Sequence, residues 1–235
     1  MKNLTFVFLI FALFSPVSAQ PAKADFDAGC QFYRKGEYDK ALEKFKSVEK
    51  SCPSGGLFFN IGNTYFRLGK IGMSLVYYER AKKIAPSEDI YYNIKFVSNM
   101  INDPDYGRTF FSGINTSVLK LLFAVTMLFF SSVISLKLIF SQKKIFWAFT
   151  ISGLLFISVS ALYFIKYKED SRSYAVVVDN SAEVRSGPDY SFKVNFTLPE
   201  GKKVIVFGKS DKWIEIGIKS LGIRGWVEIN HFEFI

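Results

Sequence analysis

A chain of 235 residues, 49% of them hydrophobic and with its apolar stretches gathered at the N-terminus and between residues 118 and 165, is read as several small units rather than one large domain. Its net charge of +9 is uneven: residues 112–168 carry six Lys and no acid, residues 20–111 contribute +3, and residues 169–235 contribute −1. A phosphate backbone selects a concentrated basic face on a folded domain; Lys gathered beside apolar segments instead suits anchorage at a membrane boundary, so no nucleic-acid partner is expected.

The chain opens MKNLTFVFLIFALFSPVSAQ. Lys2 supplies a positive start, Leu4 to Phe14 an apolar run, and Val17 and Ala19 the small residues of a cleavage site after Pro16. Residues 1–19 are therefore expected to be a signal peptide, which would place the chain from Gln20 onward on the outer side of the membrane.

Residues 20–111 contain a repeat of 33 residues, in which FDAGCQFYRKGEYDKALEKF lies over FNIGNTYFRLGKIGMSLVYY. Identical pairs include Phe26/Phe59, Gly29/Gly62, Arg34/Arg67, Gly36/Gly69, Leu42/Leu75 and Pro53/Pro86, and a truncated third copy begins at YYNIKF with Asn93. The period predicts helix–turn–helix units. Gly29 and Gly62 would let paired helices approach, Gly36 and Gly69 would make the turns, and Pro53 and Pro86 would end each second helix. These positions resemble the tetratricopeptide (TPR) pattern over about residues 24–101, with departures at Ala28, where that pattern has Leu, and Ser74, where it has Ala. The resemblance implies about two and a half repeats that bind a protein segment along the face of the first helices. In this register that face holds Phe26, Cys30, Tyr33, Arg34, Phe59, Asn63, Phe66, Arg67 and Phe96. Cys30 stands where a carboxylate clamp would want Asn, so no such clamp is expected. A final helix, about Ser87 to Ile101, is expected to cap the stack before Asp103-Pro104-Asp105 breaks it. Cys30 and Cys52 are expected to be free thiols, since antiparallel helices would hold them too far apart for a disulfide.

Within residues 112–168 two apolar runs, 118–140 and 145–165, are each long enough to cross a bilayer core of about 30 Å. The four-residue link SQKK makes them a tight hairpin, and Lys143 and Lys144 agree with a cytoplasmic loop. Neither run contains Asp, Glu or His, so an ion pathway lacks its usual chemistry.

Residues 169–235 read as short strands separated by turns: YAVVV, AEVRSGP, KVNFTL, KKVIVFGK, KWIEIGI and IRGWVEI. The order VRSGP, Glu200-Gly201, Lys212-Trp213, Gly225-Trp226-Val227 resembles a bacterial SH3 domain, which implies a small all-β barrel. Trp226 is assigned to its core, and Tyr190 and Trp213 to a ligand-binding surface. Catalysis by Cys30 or Cys52 would need His231, the sole His, from across the hairpin, so no enzyme activity is expected. No spacing suggests a metal, and no cofactor is expected.

The fold class expected is thus multidomain: an all-α TPR repeat, a two-helix transmembrane hairpin and a small SH3-like barrel. That arrangement resembles the BatE family, the TPR member of the aerotolerance-type Bat operons. The resemblance implies a non-enzymatic scaffold in the inner (cytoplasmic) membrane, with both soluble domains on the periplasmic side. Its implied partners are von Willebrand A-domain membrane proteins and a MoxR-type AAA ATPase complex, in stress or oxygen tolerance. The alternative from the residues is an envelope sensor that binds peptidoglycan through the SH3-like domain and recruits an effector through the repeats.

Overall fold

The computed structural model describes residues 19–103, 106, 114–140, 143–218 and 222–235. The expected signal peptide lies outside these residues apart from Ala19, as do residues 141 and 142 of the expected loop. Two compact units form: residues 1–106 with 174–235, and residues 107–173.

In the first unit five helices occur in order: α1 (Ala19–Arg34), α2 (Tyr38–Glu49), α3 (Gly55–Arg67), α4 (Ile71–Ile84) and α5 (Glu88–Met100). The 33-residue period is built into atoms. The Phe26 ring lies 5.7 Å from Phe45 at 53°, and Phe59 lies 5.8 Å from Tyr78 at 46°. A Cβ on Gly29 would sit 2.6 Å from the Phe45 ring, and one on Gly62 would sit 2.7 Å from the Tyr78 ring. The missing side chain is what lets an aromatic residue of the second helix lie against the first helix's backbone. Gly36 and Gly69 take φ of 79° and 75°, which a residue with a Cβ adopts only at a cost, and Asn102 takes 50° at the same place in the third copy. Ser54 and Ser87 cap α3 and α5 alike, their hydroxyls accepting from the Leu57 and Ile90 N–H groups. Ala41 and Ser74 are fully buried, small where helices cross.

The same unit contains seven strands, β1 (Ser173–Val177), β2 (Ser181–Arg185), β3 (Val194–Pro199), β4 (Lys203–Ser210), β5 (Trp213–Ile218), β6 (Ile223–Glu228) and β7 (Phe232–Phe234). They form one sheet in the order β3-β2-β6-β5-β4-β1-β7, so the end strands β3 and β7 are not neighbours and the expected barrel is not closed. The reason lies at the C-terminus. β7, which sequence reading missed because it is three residues long, pairs with β1 through Val177 and Phe232 and is held against α4 by Arg80, which donates to Glu233 at 2.8 Å and to the Phe234 carbonyl at 3.1 Å. β1 is buried on both faces. Ala175 and Val177 join the sheet core with Val184, Leu198, Ile214, Ile216 and Val227, while Val176 joins the helical core. That explains its unbroken apolar run, where alternation would mark one wet face.

The second unit holds α6 (Thr116–Ile139) and α7 (Lys143–Asp170), both long and apolar enough to cross a membrane by length and composition. As positions rise along α6 their partners fall along α7, so the helices run antiparallel: Phe123 stacks on Tyr163 at 5.1 Å, Phe130 on Phe149 at 5.5 Å, and Lys137 lies 3.9 Å over the Phe149 ring. At the far end Asp170 takes Lys166 at 2.8 Å and the Thr116 hydroxyl at 2.5 Å. α7 runs through Asp170, beyond the expected boundary of the span at 165.

Gly29→Ala and Gly62→Ala are expected to destabilise the detergent-solubilised chain by about 1–3 kcal/mol each, through overpacking against the rings. Gly56→Ala, with nothing within 4 Å, serves as the control and should be neutral or stabilising. Denaturant unfolding followed by near-ultraviolet circular dichroism measures all three.

Candidate functional site

Among the residues expected on the binding face, Tyr33, Asn63, Phe66, Arg67 and Phe96 are brought together with Tyr92 and Asn93 around a cleft of about 280 Å³. The first helix of each copy contributes: Tyr33 from α1, Asn63 to Arg67 from α3, and the rest from α5. Phe66 meets Phe96 edge-on at 5.9 Å, and Phe96 stacks on Tyr92 at 6.3 Å. Arg67 is exposed at the rim, in the same lining as Tyr33. Phe26 and Phe59 are not in this cleft, because their positions turn toward the second helices. Arg34 is exposed at the end of α1 and is not part of the lining.

An amide ladder fixes the cleft floor. Asn63 Oδ1 accepts from the Tyr78 hydroxyl at 2.6 Å and from Asn93 Nδ2 at 3.1 Å. One repeat earlier Asn60 Nδ2 points at Cys30 Sγ at 3.8 Å, so Cys30 takes the place of Asn63, and Phe45 that of Tyr78. Burial pushes the Tyr78 hydroxyl up to about 12, which keeps it a donor at neutral pH. Burial also raises the Cys30 thiol, the wrong direction for a nucleophile. Both cysteines are free, and His231 Nδ1 is engaged with Asp179 at 2.6 Å.

On the sheet, the two tryptophans exchange the places assigned to them. Trp213 is 7% exposed and Trp226 is half-buried. Tyr190, 62% exposed itself, lies edge-on to Trp213 at 5.1 Å. Trp213 is therefore support rather than contact surface. Arg185 braces the segment around Tyr190 by donating to the Tyr190 and Phe192 carbonyls at 3.0 and 2.9 Å.

Sequence reading missed the junction between helices and sheet within this unit. Glu79 of α4 is fully buried and takes Lys203 of β4 at 2.8 Å together with Lys82. Burial alone would raise the Glu79 carboxyl, yet the Lys203 and Lys82 charges overcome it and hold it at about 2. Burial lowers Lys203, which has one carboxylate to share with a second ammonium. Lys202 pairs with the buried Asp103 at 3.0 Å, and Glu200 accepts the Gly72 N–H at 2.7 Å, capping α4 from 128 residues away. A wider depression of about 610 Å³ between Lys70, Asp179 and Glu200 is open, and its best placed acid is this capping Glu200.

No family model matches the chain. Among curated proteins it is similar to the probable cell wall amidase LytH of Staphylococcus aureus, with 31% identity over 77 residues. The same match recurs in the LytH of strain USA300. The match covers 33% of this chain, and the chain spans only 26% of the length of that relative. Solved structures similar to it include PcrH from Pseudomonas aeruginosa (14% identity, 63% of this chain and 98% of that one, TM-score 0.37) and MamA (14%, 65% and 84%, TM-score 0.36). TM-scores this low carry no argument, so the helical repeat rests on its own 33-residue geometry.

Glu79→Gln leaves Lys203 buried without a counter-charge and is expected to cost about 3–5 kcal/mol, whereas Glu79→Leu with Lys203→Met should cost far less. The folded-state value of Glu79 lies below its ordinary 4.5, so its contribution is full above that pH and is lost as pH falls toward about 2. Urea unfolding of the solubilised chain between pH 6 and 2 should show this loss in the wild type and a flatter profile in Glu79→Gln.

Proposed function

We propose that this chain is a non-enzymatic adaptor of the BatE type that holds protein partners of a cell-envelope complex. The carrying observation is the cleft, where Tyr33, Phe66, Arg67, Tyr92 and Phe96 present aromatic area beside one cation. Aromatic residues and Arg are the side chains that dominate the energy of protein interfaces. The adaptor is anchored in the inner membrane by α6 and α7, with the TPR-like helices and the SH3-like sheet on the periplasmic side. The apolar length of both helices and the signal-like N-terminus support this placement. The domain limits proposed are 1–19, 20–111, 112–168 and 169–235. By family resemblance the partners are von Willebrand A-domain membrane proteins and a MoxR-type ATPase complex, with a role in stress or oxygen tolerance. A raised Cys30 thiol and a His231 engaged elsewhere support the absence of catalysis.

The similarity to a probable cell wall amidase favours a second reading, in which the SH3-like segment binds peptidoglycan through Tyr190. Photo-crosslinking in cells from position 66 and, separately, from position 192 beside Tyr190, with denaturing purification and mass spectrometry, separates the two. The adaptor reading expects von Willebrand A-domain proteins. Arg67→Glu should lower their recovery about tenfold, as loss of an interface anchor does, with Tyr190→Ala harmless. Recovery of muropeptides alone, lost in Tyr190→Ala, would establish the sensor and sink the adaptor.

A further inference from the structure

Among the described residues the third copy of the repeat is half built. α5 repeats the first-helix positions of α1 and α3, and its turn repeats theirs: the N–H groups of Gly36, Gly69 and Asn102 donate to the carbonyls of Tyr33, Phe66 and Asn99. Next along, Glu37, Lys70 and Asp103 donate to Phe32, Tyr65 and Ser98. In the first two copies a second helix then returns and lays an aromatic ring over the first helix, Phe45 on Phe26 and Gly29, Tyr78 on Phe59 and Gly62. No such helix comes after α5 in this unit among the described residues. Tyr92, which occupies the position of Phe26 and Phe59, is 67% exposed, and Phe96 beside it is 47% exposed. α5 buries Ile90, Ile94 and Val97 against the stack, as a capping helix should, yet its free face is aromatic where a cap meeting water would be polar.

The third position of the pattern states what can cover that face. Where the first two copies have glycine, the third has Lys95, and it is exposed. In those copies even a Cβ at this position would reach within 2.7 Å of the covering ring, so Lys95 excludes an aromatic residue there. The Lys95 ammonium, on the same helix as Tyr92 and Phe96, would be desolvated by a covering helix, and only an opposite charge compensates that. We infer that α5 receives an amphipathic helix from a partner protein, seated in the slot of the missing second helix. That helix carries Asp or Glu, facing Lys95, at the position where α2 and α4 carry Phe45 and Tyr78. The inference depends on the adaptor reading only in taking the helical unit as protein-binding. It shares Tyr92 and Phe96 with the cleft and adds Lys95, which does not line the cleft.

α4 itself supplies the probe, because it already fits this slot over α3. Three stapled, fluorescein-labelled peptides of residues 71–84 are compared, one native, one Tyr78→Glu and one Tyr78→Lys, by anisotropy against the full solubilised chain. Stapling is needed because so short a helix is marginal in water. The Tyr78→Glu peptide is expected to bind about tenfold tighter than the native peptide, the size of one well-placed ion pair. Lys95→Gly should reverse the order. Lys95→Glu, which keeps helix propensity, should reject the Tyr78→Glu peptide and prefer Tyr78→Lys. Equal affinities, or no binding by any peptide, would overturn the proposal, as would a dimer of the chain that Lys95→Glu dissociates. Failed crosslinking from position 66 with the peptide ranking intact would instead fault the cleft and leave the helix slot standing.

Discussion

An aromatic ring lying on a glycine sets the dimensions of the helical unit. Phe45 on Gly29 and Tyr78 on Gly62 fix how closely the two helices of each repeat approach. Because the two contacts are equivalent, the repeats stack with a common geometry, and the first helices end up side by side. Tyr33, Asn63 and Asn93 face one cleft for that reason. The Tyr78 hydroxyl serves twice, as the packing ring and as the donor that holds Asn63.

A short repeat array has few neighbours to cover its faces. Here the sheet supplies a neighbour for α4, through Val176 and Ile235 in the helical core and through Glu79 with Lys203. Apolar contact alone would fix this junction loosely. A buried carboxylate that must meet two ammonium groups leaves few alternative registers, which is specificity rather than net stability. The same docking draws β7 toward α4 and leaves the sheet open at both ends.

Three of the polar side chains most open to a chemical role have structural partners. The Cys30 thiol substitutes for an amide in the ladder, Asn63 Oδ1 has both partners, and His231 is tied to Asp179. Around the cleft, exposed aromatic area lies beside Arg67 and Lys95, a surface suited to holding another chain.

Periodicity carried much of this into the sequence. The 33-residue spacing located five helices, both glycine turns and the close approaches, since backbone strain and steric contact act locally and leave a residue-type record. The two apolar helices were equally legible from length and composition. Strand runs showed six of the seven strands; β7 is defined by its pairing with β1 and has no pattern of its own. The ring contact of Trp213 joins it to Tyr190, 23 positions away. The Glu79–Lys203 pair joins residues 124 apart. No local rule can announce such contacts, because a buried charge becomes tolerable only once the tertiary fold has brought its partners within reach. The sequence by itself determined where the chain bends and which faces are apolar, and the tertiary structure decided which of those faces found a cover.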